Sequence, residues 1–152
     1  MKLKALSLAT AAALLAACGG EAGDEPTLEN WQTGEVYYSF PYDGQQDLAP
    51  KTPISVRFSH PVDVDASNFT LLGCAQPGDD CFASGSNQLA VQPPEQVPLQ
   101  APQSVDDGMG VMLQPAAPLR THTHYRLVID GVETENGSPV FPGGGLDFVT
   151  RL

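Results

Sequence analysis

The sequence predicts an all-β fold, a two-layer antiparallel β-sandwich of about seven strands that follows an N-terminal leader. Short segments rich in β-branched and aromatic residues recur along the chain and are separated by turn residues. Several of these segments alternate apolar and polar side chains, as half-buried strands do. The 14 prolines disfavour long helices, and no segment after the leader keeps a helical period.

The predicted strands share this composition and are bounded by Pro, Gly, Asp or Asn. They comprise residues 36–40, 54–59, 68–72, 88–92, 110–114, 124–130 and 146–150. The alternation is clear at Ile54, Val56 and Phe58, which would lie on one apolar face. The proline-rich segment 93–107 shows no clear strand and is predicted to be a long insertion.

The first 17 residues have the composition of a secretory signal peptide. Lys2 and Lys4 precede an apolar stretch, and Cys18 stands where cleavage is expected. Residues 15–18, Leu-Ala-Ala-Cys, resemble the lipobox of bacterial lipoproteins. The resemblance implies cleavage before Cys18, lipidation of Cys18 and a membrane anchor. The apolar run is shorter than the roughly 20 residues of a transmembrane helix, whereas an ordinary secretory signal with an incidental cysteine stays open.

Removal of residues 1–17 would leave a mature chain with two parts. Residues 18–35 are polar, acidic and glycine-containing, which is typical of a flexible tether, and residues 36–152 would form the folded domain. The leader holds two lysines and no acidic residue, so the formal charge would change from −11 to −13. Such a surface repels phosphate backbones, and no nucleic-acid partner is expected. Gly19 rather than Asp follows the cysteine, which favours the outer membrane of a Gram-negative envelope, with the periplasmic or external face left open.

Two cysteines remain after Cys18, namely Cys74 and Cys81, with six residues between them. Export from the cytoplasm permits a disulfide, and the turn dipeptide Pro77-Gly78 would bring the two side chains together. A zinc or redox pair is the alternative. Zinc prefers four ligands, however, and the chain offers no second cysteine pair, so the disulfide is favoured.

Four segments resemble the motifs of a known domain family. They are residues 40–50 (Phe-Pro-Tyr-Asp-Gly-Gln-Gln-Asp-Leu-Ala-Pro), 53–63, 113–129 and 146–150. As a set they resemble the bacterial Ig-like domains of the S-layer type, the Big_5 or SbsA-like group, over about residues 36–151. The resemblance implies an Ig-like sandwich whose motif residues are structural. His60 stands where an acidic residue is common, and residues 135–137 replace the usual turn, which weakens any inference of calcium binding.

The spacing of His122 and His124 is the pattern most typical of a metal site. On a strand, residues two apart share a face, and His60 is the candidate for a third ligand. Asp63 and Asp65 form an oxygen-rich turn that would suit calcium. Solvated polar residues remain the simpler interpretation of both patterns, so neither a metal nor another cofactor is expected.

The sequence contains no G-x-S-x-G motif, and we expect no catalytic residues and no enzymatic activity. The hypothesis is a non-enzymatic cell-envelope lipoprotein whose Ig-like domain is a spacer or a protein-interaction module for an envelope partner. One alternative is an N-terminal accessory domain of a larger surface-anchored enzyme such as a lipase. A second is a calcium- or glycan-binding adhesion module, based on Trp31, Tyr37 and Tyr38 together with the acidic turns.

Overall fold

Strands form where apolar and polar side chains alternate, because each strand then has one face for the core and one for water. The computed structural model describes residues 36–83, 92–140 and 144–152. These residues form eleven strands and one 3₁₀ turn, Ala66–Asn68. The strands are β1 (Val36–Phe40), β2 (Gln45–Leu48), β3 (Ile54–Phe58), β4 (Val62–Asp63), β5 (Phe69–Gly73), β6 (Glu95–Val97), β7 (Gln103–Val105), β8 (Gly110–Leu113), β9 (His124–Ile129), β10 (Glu133–Thr134) and β11 (Gly144–Thr150).

The strands build two main sheets and a small ribbon. Sheet A has the order β1-β3-β8-β7, sheet B the order β2-β11-β9-β5-β6, and β4 pairs with β10. The predicted two-layer sandwich is therefore confirmed. The pairing departs from a purely antiparallel arrangement at β2 and β11, which are parallel. The reason is that the chain crosses from sheet A to sheet B at residues 41–44 and continues in the same direction.

A single apolar core fills the space between the two sheets. Ile54, Val56 and Phe58 from sheet A are at most 1% exposed, as their alternation predicts. Tyr125 and Phe148 from sheet B are each 1% exposed, and their ring centroids lie 5.6 Å apart in a stacked arrangement. Every buried side-chain nitrogen and oxygen of the described residues has a hydrogen-bond partner. In the described residues, the core therefore combines close apolar packing with full hydrogen bonding of its buried polar side chains.

Six of the seven predicted strands are present within one or two residues of the predicted bounds, and β1 matches residue for residue. The predicted strand at 88–92 lies, except for Gln92, outside the described residues. The prediction that 93–107 has no strand is wrong, because β6 and β7 lie there. Both are three-residue edge strands next to prolines, so their pairing partners rather than their own side-chain pattern define them.

The folded domain begins and finishes at opposite ends of the sandwich. Val36 pairs with Phe58, and the chain just beyond Phe58 pairs with the ribbon strand β10. We name this the tether end, since the predicted tether precedes Val36. Thr150 lies beside Leu48 at the other end, together with the Cys74 loop, and we name this the far end. Six strand residues of β9 separate the two ends by about 20 Å.

Candidate functional site

An open cleft of about 710 Å³ lies at the tether end, between the β4–β10 ribbon and the 3₁₀ turn. Four acidic residues line it: Asp63, Asp65, Glu133 and Glu135. Asp63 and Glu133 are directly paired across the ribbon, and both are exposed. Asp63 ends β4 and Asp65 caps the 3₁₀ turn, so both belong to an acidic surface that is wider than the predicted turn.

Asp65 has a structural role in this cleft. Its carboxylate accepts hydrogen bonds from the Ser67 hydroxyl and the Ser67 backbone N–H, both at 2.6 Å, and so caps the 3₁₀ turn. These bonds hold the pKa of Asp65 below its ordinary value, and the bond from the Ser67 hydroxyl has the largest effect. A lowered carboxyl pKa stabilises the fold while the group is ionised, so this contribution is lost as the pH falls through the lowered value.

The two histidines of the predicted metal pattern do not share a strand face. His122 precedes β9 and has a positive φ of 49°, whereas His124 is the first residue of the strand. His124 Nδ1 lies 3.8 Å from an Asp80 carboxylate oxygen. His60, the candidate third ligand, lies at the tether end beside the Ser59 hydroxyl, 2.9 Å away. Among the residues described, no group of three or more His, Cys, Asp or Glu side chains is placed to hold a metal ion.

The predicted disulfide between Cys74 and Cys81 is present, with the two Cα atoms 5.5 Å apart. It closes a loop at the far end, and we name residues 74–83 the clasp. The Gly78 N–H donates to the His122 carbonyl at 2.6 Å, which fastens the tip of the clasp to the segment before β9. The Asp80 carboxylate accepts from the backbone N–H groups of Phe82 and Ala83. The clasp therefore has a defined path over sheet B.

The clasp covers a charged pair on the outer face of sheet B. Arg126 in β9 donates two hydrogen bonds to Asp147 in β11, at 2.6 and 2.7 Å. The Phe82 ring lies over the guanidinium, 4.6 Å from ring centroid to Cζ, in a cation–π contact. Gly145 makes room beneath, since a Cβ there would lie 2.7 Å from Arg126 Cδ. The Asp147 hydrogen bonds raise the pKa of Arg126 above its ordinary value, so the guanidinium stays charged.

Sequence reasoning missed this pair. Arg126 and Asp147 are 21 positions apart, and only the register of β9 against β11 places them opposite each other. The available signal was an arginine on the polar face of one predicted strand and an aspartate on that of another. That signal says nothing about which strands are neighbours.

We expect Arg126→Gln to lower the free energy of unfolding by about 1 kcal/mol. The two side chains are 34% and 42% exposed, so solvent screens much of the attraction. Urea unfolding followed by circular dichroism measures the change, with Arg57→Gln as the control, since Arg57 pairs with Asp106 on the outer face of sheet A. A loss above about 3 kcal/mol would show that the pair behaves as a buried one.

The loop before β9 is held by side chains from the core. The Tyr125 hydroxyl accepts a hydrogen bond from the Arg120 N–H at 2.8 Å. Thr150, 1% exposed, accepts from the Thr123 N–H and donates to the Arg120 carbonyl. The Arg120 guanidinium in turn donates to the Cys74 and Ala75 carbonyls, which connects this loop to the clasp.

Exposed aromatic side chains are concentrated at the start of the domain. Tyr38 is 52% exposed, Phe40 36% and Tyr42 60%. Tyr38 and Phe40 lie opposite Arg57 and Ser55 of β3, whose side chains point away from the core. Two aromatic rings therefore stand on the outer face of sheet A, at its β1 edge.

Comparison with known proteins decides the family. The sequence profile of the bacterial Ig-like domain family, Big_5, matches residues 33–150. The chain belongs to this family. The Ig-like domain accounts for both main sheets and the core, as the resemblance of the four segments implied. None of the described helical segments is long and apolar enough to cross a membrane.

The Ig-like chain is 32% identical to "Alkane uptake protein B" of Marinobacter nauticus over 147 residues. The alignment covers 92% of this chain but only 12% of that protein.

Two solved structures share the fold. The N-terminal part of the bacterial S-layer protein SbsC has a TM-score of 0.52 at 14% identity, with 81% of this chain and 24% of that one covered. The copper resistance protein PcoC of Escherichia coli has a TM-score of 0.53 at 16% identity, with 78% and 99% covered. Identities this low show a common fold and nothing further.

Proposed function

We propose that this protein is a lipid-anchored, non-catalytic Ig-like module of the bacterial cell envelope, which spaces or docks other envelope proteins. The observation that carries the proposal is the path of the chain through the sandwich. The predicted tether joins at Val36, and the far end, with the clasp and Thr150, lies about 20 Å away. A module anchored in this way would present its far end and both outer sheet faces to partners.

The charge distribution supports anchoring by the lipid and not by the protein surface. Among the described residues, the tether end carries seven exposed acidic side chains and one arginine, Arg57. The acidic residues are Asp63, Asp65, Asp106, Asp107, Asp130, Glu133 and Glu135. Anionic lipid headgroups would repel this end, so the lipid on Cys18, rather than the protein surface, would hold the module at the membrane.

The relative with 32% identity supports the proposal in two ways, through the extent of its alignment and through the process in its name. Its alignment covers more of the chain than residues 33–150, and only two residues follow 150, so the similarity extends into the segment that precedes the domain. The domain and the tether before it would thus be shared as one unit. From the name of that relative, we propose that the module works in alkane uptake.

A second candidate is a module of a longer surface protein. The chain spans 12% of the length of the relative, which is what an accessory domain of a large protein would show. An immunoblot of the source cells with antibody to the domain distinguishes the two candidates. A band at the size of the mature chain supports the free lipoprotein, and a much larger band supports the accessory domain.

Loss of the lipid site should release the protein from membranes. We expect a variant with a non-lipoprotein secretory leader and Cys18→Ala to move almost wholly to the soluble periplasmic fraction and to lose labelling by radioactive palmitate. The leader is exchanged as well because an uncleaved apolar leader would itself hold the protein at the membrane.

The matched control is the native leader with Cys74→Ala and Cys81→Ala, which removes the other two cysteines and should stay lipidated and membrane-bound. Persistence of the Cys18→Ala variant in the membrane pellet after a carbonate wash would refute the lipid anchor.

A further inference from the structure

We propose that β1 accepts an extended, cationic segment of a partner protein as an additional strand of sheet A. The inference rests on the proposed role as an interaction module, and it names the surface and the chemistry of the partner. Strand addition uses the free backbone groups of a sheet edge for affinity and side chains along that edge for specificity. β1 is the edge of sheet A that combines both features.

The other three edge strands of the two main sheets carry features that discourage strand addition. β6 is three residues long, contains Glu95 and stands between Pro94 and Pro98. β7 is also three residues long and continues into Asp106 and Asp107. β2 contains Asp47 at a positive φ of 58°, which interrupts the extended backbone. Short length, charge, proline and bent backbone are the means by which natural sheets protect their edges.

β1 lacks these protections over most of its length. Its five residues, Val-Tyr-Tyr-Ser-Phe, include no charge and no proline, and all except serine are of types with a high preference for strands. A bulge lies between Val36 and Tyr38, and beyond it Tyr38, Ser39 and Phe40 pair regularly with β3. Among the described residues β3 is the one strand paired with β1, and no described residue pairs with the opposite side of the β1 backbone.

The aromatic rings add the side-chain component. Tyr38 and Phe40 stand two residues apart on the outer face, 52% and 36% exposed, and Tyr42 follows at 60%. A strand laid along β1 would place its own outward side chains beside these rings, within the reach of cross-strand contacts. Aromatic residues at an otherwise polar surface are typical of contact sites. Backbone and side chains thus point to the same edge.

The net charge of the chain indicates which kind of partner strand would bind at the β1 edge. The mature protein would carry five basic and 18 acidic residues, so a second copy would meet strong repulsion, whereas a segment rich in lysine or arginine would be attracted. β1 itself carries no charge, and Arg57, which lies opposite Tyr38 in the neighbouring strand, is paired with Asp106. We therefore assign the edge to a partner whose strand alternates apolar and basic residues.

The test uses the full mature chain with Cys18→Ala and a fluorescent peptide of alternating valine and lysine, acetylated and amidated. Anisotropy should show saturable binding. N-methylation of alternate peptide amides should weaken binding about tenfold or more, because it removes backbone donors and keeps the charge. Tyr38→Lys should weaken binding to a similar extent, since a lysine protects a strand edge, and Tyr38→Phe should not.

Gln103→Lys is the matched control, because it adds the same charge to the outward, exposed face of β7 at the opposite edge of sheet A. We expect it to change binding by less than about twofold. Equal losses in Tyr38→Lys and Gln103→Lys, or no loss with the N-methylated peptide, would show general charge attraction and overturn the proposal. Absence of peptide binding, or dimers cross-linked through β1, would overturn it as well. None of these outcomes depends on the lipid, so they are distinct from failure of the anchor.

Discussion

Replacement of Tyr125 by alanine is expected to lower the free energy of unfolding by about 3–5 kcal/mol. The ring is 1% exposed and stacks on Phe148. It also packs on the backbone of β5 so closely that a Cβ on Gly73 would lie 2.6 Å from Tyr125 Cε1. Removal of the ring would leave a cavity that two rigid sheets cannot close. Since many domains have only about 5–15 kcal/mol in total, this variant tests the upper limit of what the fold tolerates.

Tyr125→Phe separates the hydroxyl from the ring. It keeps the packing but leaves the Arg120 N–H without its acceptor, at a cost of about 1–3 kcal/mol. Urea unfolding followed by circular dichroism measures both variants, and the difference between them is the contribution of the ring. Tyr42→Phe, at an exposed tyrosine, should change stability by less than about 0.5 kcal/mol. A Tyr125→Phe variant as stable as the native protein would show that the Tyr125 hydroxyl does not stabilise the loop before β9.

Removal of the disulfide by Cys74→Ala together with Cys81→Ala is expected to cost about 2–3 kcal/mol. The bridge spans a sequence separation of seven, so the entropy that it removes from the unfolded chain is modest. The clasp is then held by the Gly78 and Arg120 hydrogen bonds and by Phe82 on Arg126. Hydrogen exchange should become faster in residues 75–83, whereas β9 and β11 should keep their protection.

Dithiothreitol supplies the control for the disulfide. It should lower the stability of the native protein to that of the double variant and leave the double variant unchanged. Cys74 and Cys81 should resist alkylation until reduced. Free alkylation of both thiols in native exported protein would contradict the bridge that the structure contains.

The local pattern was sufficient for the core strands. Ile54, Val56 and Phe58 alternate with polar residues, and a strand with that pattern has one energetically acceptable orientation in a sandwich. The same reasoning failed at β6 and β7. These edge strands are hydrogen-bonded on one side and largely exposed, so burial does not impose an alternating pattern on their residues.

The candidate sites were likewise predictable only where they depend on residues close together in the sequence. The Cys74–Cys81 bridge was predictable because a short loop with a turn dipeptide keeps the cysteines close whatever the fold. His122 and His124 do not share a strand face, because β9 begins at His124, where the sequence predicts its start, and His122 precedes the strand. The Arg126–Asp147 pair needed the register of two strands that are distant in sequence.

By itself the sequence determined the family, the apolar faces of the main strands and the disulfide, all of which depend on residues within a few positions of one another. Tertiary structure alone decided the separation of the two ends, the Arg126–Asp147 pair beneath Phe82 and the exposure of the β1 edge. The physical reason is that side-chain periodicity specifies which face of a strand is buried, whereas the neighbours of a strand are chosen by packing across the whole core.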